Sequence, residues 1–191
     1  MTGPRLFTLP PISDDFRFGV LRRHFGKLDN DAVDFVRAKL HPVAPVPVAG
    51  MGRRWQPTAA RYDVLLPPSM PQLLSSPRLL LETFEEHSRP DQRDLLIVVK
   101  IVLPADEMLH EGWERVRAYA RQAFVRDHGL AVVMALHAPS SSGMHDASAS
   151  HVHLMALTRR WDAGGFGAFC AIACDEGHAP LQAAWTKARD A

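Results

Sequence analysis

At 191 residues, 47% of them hydrophobic and 23% charged, the chain is long enough for one ordinary hydrophobic core. A net charge of +1 and a pI near 7.9 exclude a uniformly basic nucleic-acid binder, so phosphate contacts must come from local patches such as Arg53-Arg54 or Arg159-Arg160. No 18-residue apolar run and no charged-then-apolar leader occur, and Pro4, Pro10 and Pro11 interrupt the start; the expectation is a soluble, cytoplasmic protein with no membrane partner.

Eleven of the fifteen prolines fall within residues 1–77, which predicts an irregular, proline-rich N-terminal arm over residues 1–64. One helix is expected inside it, near Asn30–Leu40, with Val33, Val36 and Leu40 at helical spacing after a cap at Asp29 or Asn30. A second helix is predicted from Pro77 to His87. From Arg93 the pattern is regular. Leu95–Leu103, aliphatic except for Lys100, reads as a central strand covered on both faces, and Pro104 ends it. Asp106 and Glu107 open a helix whose apolar stripe is Leu109, Trp113, Val116, Ala120 and Phe124, with Gly129 as its left-handed cap. Strands follow at Leu130–His137 and His151–Arg159, then a Gly164-Gly165-Phe166-Gly167 turn and a final helix over Pro180–Arg189. This order predicts an α+β domain, a two-layer sandwich around a largely antiparallel sheet, over residues 65–191.

Chemistry concentrates at the two histidine-bearing strands. His151 and His153 are two residues apart, so on a strand they share a face. If the strands form an antiparallel hairpin, His137 stands opposite His151 with Cβ atoms roughly 5 Å apart, and His153 lies diagonally beyond. Three imidazoles so placed suit one divalent ion, Mg²⁺, Mn²⁺ or Zn²⁺. The alternative is a hydrogen-bonded, partly buried histidine cluster. His145 and Asp146 are candidate extra ligands or solvated loop residues. Lys100 either reaches a phosphate or snorkels at a strand edge. Arg159, in phase with the histidine pair, is the preferred phosphate contact beside Arg160. Cys170, Cys174 and His178 repeat at four-residue spacing, but two thiols and one imidazole fall short of a four-ligand zinc site, so the thiols are read as small reduced hydrophobes.

Several short motifs in order carry a resemblance to a known family: Pro67–Pro71, Phe84-Glu85-Glu86 with Arg89, Leu103-Pro104, Phe124–Leu130, Ala135-Leu136-His137, His151-Val152-His153, Thr158-Arg159 and Gly165-Phe166-Gly167. From about Leu65 to Phe169 the chain resembles the MobA/MobL plasmid mobilisation relaxases. The resemblance implies a histidine–hydrophobic–histidine endonuclease fold, a divalent metal on His137, His151 and His153, single-stranded DNA at a transfer origin as partner alongside other mobilisation proteins, and a tyrosine that joins covalently to the cut strand. In three places the chain departs from that family. Where an alanine-rich helix would carry Ala-Tyr-Arg, the nearest segment is Ala32–Ala38, with Phe35 in place of a hydroxyl. Only Tyr62 and Tyr119 exist; Tyr119 reads as structural, and Tyr62 is either the nucleophile or a loop residue with its hydroxyl in water. Ala149-Ser150 replaces the usual Asn-Pro after a longer loop, and the last helix looks cut short. The catalytic residue is thus unassigned. Two readings stand: a relaxase-like protein that binds and nicks single-stranded DNA, and a family member that keeps fold and metal but serves as a DNA-binding or accessory module. A third is a metal-stabilised structural domain.

Overall fold

The computed structural model describes residues 6–8, 10, 13–43, 55–89, 91–138, 149–162 and 164–190. In chain order the elements are β1 (Phe7–Thr8), β2 (Phe16–Arg22), β3 (His24–Phe25), β4 (Leu28–Asp29), α1 (Ala32–Leu40), β5 (Arg61–Leu65), α2 (Pro77–Glu86), β6 (Asp94–Val102), α3 (Leu109–Ala120), β7 (Val132–His137), β8 (His151–Leu157), β9 (Arg159–Asp162), β10 (Gly165–Phe169) and α4 (His178–Arg189). Six strands form one sheet in the order β1-β2-β6-β8-β7-β5. Every neighbouring pair in it is antiparallel. The fold is α+β, as the sequence leads one to expect.

Residues 16–40 are not an irregular arm. Phe16, Phe18 and Val20 alternate with Arg17 and Gly19, the period of a half-buried strand, and β2 pairs with β6 along its whole length. α1 is capped by neither Asp29 nor Asn30 but by Asp31, which accepts a hydrogen bond from the Asp34 amide at 2.9 Å. Prolines flank these two elements without entering them, so proline density misled about what lies between. Tyr62 likewise sits on a strand, since Arg61–Leu65 pairs with β7. α3 begins at Leu109 and not at Asp106, and Glu107 instead binds Arg115 at 2.6 Å. It continues through a π-helical turn, Arg121–Arg126, and stops where Gly129, at φ +67°, lets its own amide reach the Val125 carbonyl and that of Leu130 the Phe124 carbonyl.

The sheet is buried on both faces. On one, Phe16, Phe18, Val20, Ile97, Val99, Ile101, Val132, Met134, Val152 and Leu154 meet Trp113, Val116 and Tyr119 of α3 and Leu181 and Trp185 of α4. On the other, Leu96, Val98, Val133, Ala135 and Met155 meet Phe35, Val36 and Leu40 of α1, Leu80, Leu81 and Phe84 of α2, and Phe166 of β10. Among the described residues, helices cover only part of that second face, and the histidines lie at its other end.

Arg159 joins this second layer together. Its buried guanidinium donates to the carbonyls of Gly167 at 2.9 Å, His87 at 2.6 Å and Phe166. A lysine cannot address three carbonyls from one planar fork. Arg159→Lys is expected to lower stability by about 2–4 kcal/mol, because hydrogen bonds to a charged donor contribute roughly 1.5–3 kcal/mol each. A urea midpoint shift at constant m-value reads this directly, and an unchanged midpoint would refute it.

Candidate metal centre

β8 lies between β6 and β7, and its register fixes the site. His137 stands opposite His151, Ala135 opposite His153, and Lys100 opposite His153 on the other side. The hairpin expectation is met. The three rings have centroids 4.7–5.0 Å apart and are mutually tilted, and one nitrogen from each lies within 4.8 Å of the others. All three residues are buried.

Hydrogen bonds set two of the tautomers. His137 Nε2 donates to the Lys39 carbonyl at 2.7 Å, at the last turn of α1, which leaves Nδ1 with its lone pair. His151 Nδ1 donates to the Ala149 carbonyl at 2.8 Å, which leaves Nε2 with its lone pair. His153 Nδ1 is buried and has no hydrogen-bond partner among the described residues. A buried polar atom left unmatched in this way is costly unless something binds it. Burial holds all three rings in the neutral form that metal coordination needs: it lowers the pKa of His137, pushes that of His151 down to about 4, and lowers that of His153 well below its ordinary value, with the charges of Lys39 and Lys100 acting in the same direction. The donor set therefore fits one divalent ion. Among the described residues no other group of His, Cys, Asp or Glu is so gathered.

The histidines open into a cavity of about 370 Å³ whose lining includes Arg17, Lys39, Lys100, Thr8 and Gly19. Arg17, Lys100 and His153 are successive partners across β2, β6 and β8, so they form one row on one face. Gly19 makes room for the cavity's outer strand: a Cβ there would come within 2.8 Å of the Phe7 carbonyl oxygen. Lys100 was legible in the sequence; Lys39 and Arg17 were not. The strand alternation of Phe16–Val20 contained the signal for Arg17. Nothing local marks Lys39, which reaches the site only because α1 packs on β7.

Other expected site residues lie elsewhere. Arg159 lies beyond the far end of β8, packed into the layer of α2 and β10 and outside the cavity lining. Thr158 breaks the strand, its hydroxyl donating to the Asp94 and Leu95 carbonyls, and Arg159 is consumed by backbone carbonyls. Arg160 is exposed and donates to the His128 carbonyl at 2.9 Å, outside the cavity. Arg53, Arg54, His145 and Asp146 lie outside the described residues. Tyr119 is buried, its hydroxyl donating to the Leu181 carbonyl at 2.9 Å, and burial raises its pKa. Tyr62, 45% exposed, occupies the same sheet row as Ala135 and His153 but lines a separate hollow with Trp55, Leu73 and Arg78. Neither tyrosine lines the histidine cavity. Cys170 is buried and Cys174 gives its thiol hydrogen to the Ala171 carbonyl.

Depressed histidine pKa values carry a stability signature. As pH falls below the ordinary imidazole value of 6.5, the unfolded chain takes up protons that the folded chain refuses. Stability of the metal-free protein is therefore full above about pH 6.5 and declines as pH drops toward 4. Urea midpoints at several pH values should show this decline, and His151→Asn should flatten it. An identical slope in the variant would refute the assignment.

The MobA/MobL family profile matches residues 56–189. No curated protein matches the chain. A solved structure described as "Molecular Basis of Vancomycin Resistance Transfer in Staphylococcus aureus" superposes with a TM-score of 0.58 at 15% identity, covering 69% of this chain and 68% of that one; at such identity the likeness concerns the fold. Among the described residues no helix is long and apolar enough to cross a membrane. The histidine-bearing antiparallel sheet and the match over most of its length place one conclusion beyond the resemblance: this chain belongs to the MobA/MobL family of plasmid mobilisation relaxases.

Proposed function

We propose that the chain serves mobilisation by binding single-stranded DNA at a divalent-metal centre on His137, His151 and His153, without forming a tyrosyl–DNA link of its own. One observation carries this reading: the histidine cavity is walled by cations and contains neither of the chain's two tyrosines. A divalent ion bound there draws charge from phosphate oxygens. The neutral histidines leave that charge uncancelled. The ammonium groups of Lys39 and Lys100 and the Arg17 guanidinium supply the remaining counter-charge for a sugar-phosphate backbone. Of the arginine pair, only Arg160 is exposed enough to meet a strand outside the cavity. Strand transfer requires an attacking hydroxyl in line with the leaving oxygen, and Tyr119 has its hydroxyl committed to a buried carbonyl.

The nicking reading has one remaining route, through Tyr62. It lies on the same face as His153 with the fully buried Ala135 between them in the row. Incubation with origin-bearing single-stranded DNA and Mn²⁺, followed by a denaturing gel, separates the two readings. The expected result is no shifted adduct. An adduct that disappears in Tyr62→Phe would overturn the proposal and establish a nicking enzyme.

Binding itself is tested by salt dependence. Lys100→Ala should weaken single-stranded DNA binding uniformly across sequences and reduce the magnitude of the log K against log [salt] slope by roughly 0.7–1. The paired variant His151→Ala, His153→Ala should lose Mn²⁺ and Zn²⁺ binding. Unchanged metal affinity there would remove the centre.

A further inference from the structure

The walls of the cavity have an unusual charge balance for a cation site. Metal-binding histidines are commonly backed by carboxylates or carbonyls, which add negative potential. Here the two defined partners are neutral backbone carbonyls, those of Lys39 and Ala149. Among the described residues lining the cavity there is no carboxylate, whereas Arg17, Lys39 and Lys100 all line it. Lys39 is placed with particular constraint, because the residue whose carbonyl orients His137 also lines the same space, with its ammonium 5.6 Å from the centre of the Phe35 ring. Lys100 is the direct cross-strand partner of His153. A dication entering this space meets three imidazoles that attract it and fixed cations that repel it.

Resting on the metal reading above, we infer that the centre is an anion-coupled one: Lys39 and Lys100 oppose the divalent ion in the empty cavity, and a phosphodiester relieves that opposition, so metal and phosphodiester bind cooperatively. The phosphodiester shares its negative oxygens between the ion and the two ammonium groups and turns a repulsive pair into a bridged one. By linkage, whatever factor the diester adds to metal affinity the metal adds to diester affinity. The two lysines are then determinants of ligand class. They disfavour a bare metal site and favour metal together with a backbone phosphate. In this way the protein holds its ion chiefly when a strand is present.

The test uses the full chain, with Mn²⁺ binding read from the loss of the free-ion electron paramagnetic resonance signal. Dimethyl phosphate serves as the diester probe, and sodium chloride matches ionic strength in every arm, so that simple screening contributes equally. Addition of the diester is expected to tighten Mn²⁺ binding on the order of tenfold or more, within the ordinary range of coupled sites. In Lys39→Met, Lys100→Met, Mn²⁺ alone should bind more tightly than to the wild type, and the diester should then change affinity less than twofold. Lys100→Gln, which leaves α1 untouched, should show the same two changes in smaller degree and covers any folding defect in the double variant. Measurable Mn²⁺ affinity that is the same with and without the diester in the wild type overturns the coupling and leaves the metal site standing. No Mn²⁺ binding in any arm overturns the metal centre and this inference with it.

Discussion

The register of β8 between β6 and β7 is the constraint on which the rest depends. A strand's side chains alternate with period two, so a slip of one residue would turn His151 and His153 toward Trp113 and Val116 of α3 and bring Val152 and Leu154 to the cavity. The slip is opposed from both sides. Val152, Leu154 and Ala156 are completely buried on one face, and Met155 and Leu157 are completely buried on the other. The histidine pair therefore rides on a strand whose position is determined by aliphatic packing, and the polar site is held by apolar means.

The same sheet face does two different tasks. Toward β5 and the far end of β8 it carries the α1 and α2 layer, where Phe84 and Trp161 both meet Phe166 edge-on at 5.1 Å. Toward β1, among the described residues, it carries the histidine cavity. α1 forms the boundary: Phe35, Val36 and Leu40 are buried against the sheet, while Lys39 one residue earlier faces the cavity and its carbonyl holds His137. A nine-residue helix thereby separates dry core from charged site.

Much of this was legible in the sequence where a pattern is local. The hairpin and its three histidines follow from alternation and from the loop between them, and the Gly129 stop follows from its conformational freedom. Two kinds of feature escaped. β2 and β5 lie in the proline-rich part of the chain, so composition over a long window hid alternation over a short one. Arg159 escaped because phase along a strand tells which face a side chain takes and not how far along that face the site lies, and the carbonyls of His87, Phe166 and Gly167 that hold it come from other elements. Lys39 belongs to neither kind. Its role depends on where α1 packs, which no spacing within 32–40 reveals.

Sequence distance also divides the site by the cost of assembling it. The histidines belong to consecutive strands of one hairpin, whereas the Lys39 carbonyl and His137 are 98 residues apart, and Arg22 and Asp175, whose ion pair ties the end of β2 to the approach to α4, are 153 apart. Closing a loop costs more entropy as it lengthens, and long-range pairings form late. During synthesis β2 emerges with only the two-residue β1 to pair with, and α1 emerges before β7, the strand it packs upon. Phe16, Phe18, Phe35 and Leu40, all buried in the finished fold, gain their sheet partners only when β6 to β8 have followed. The segment that completes the charged wall of the site is thus also the segment most exposed to misassociation while the chain is being made.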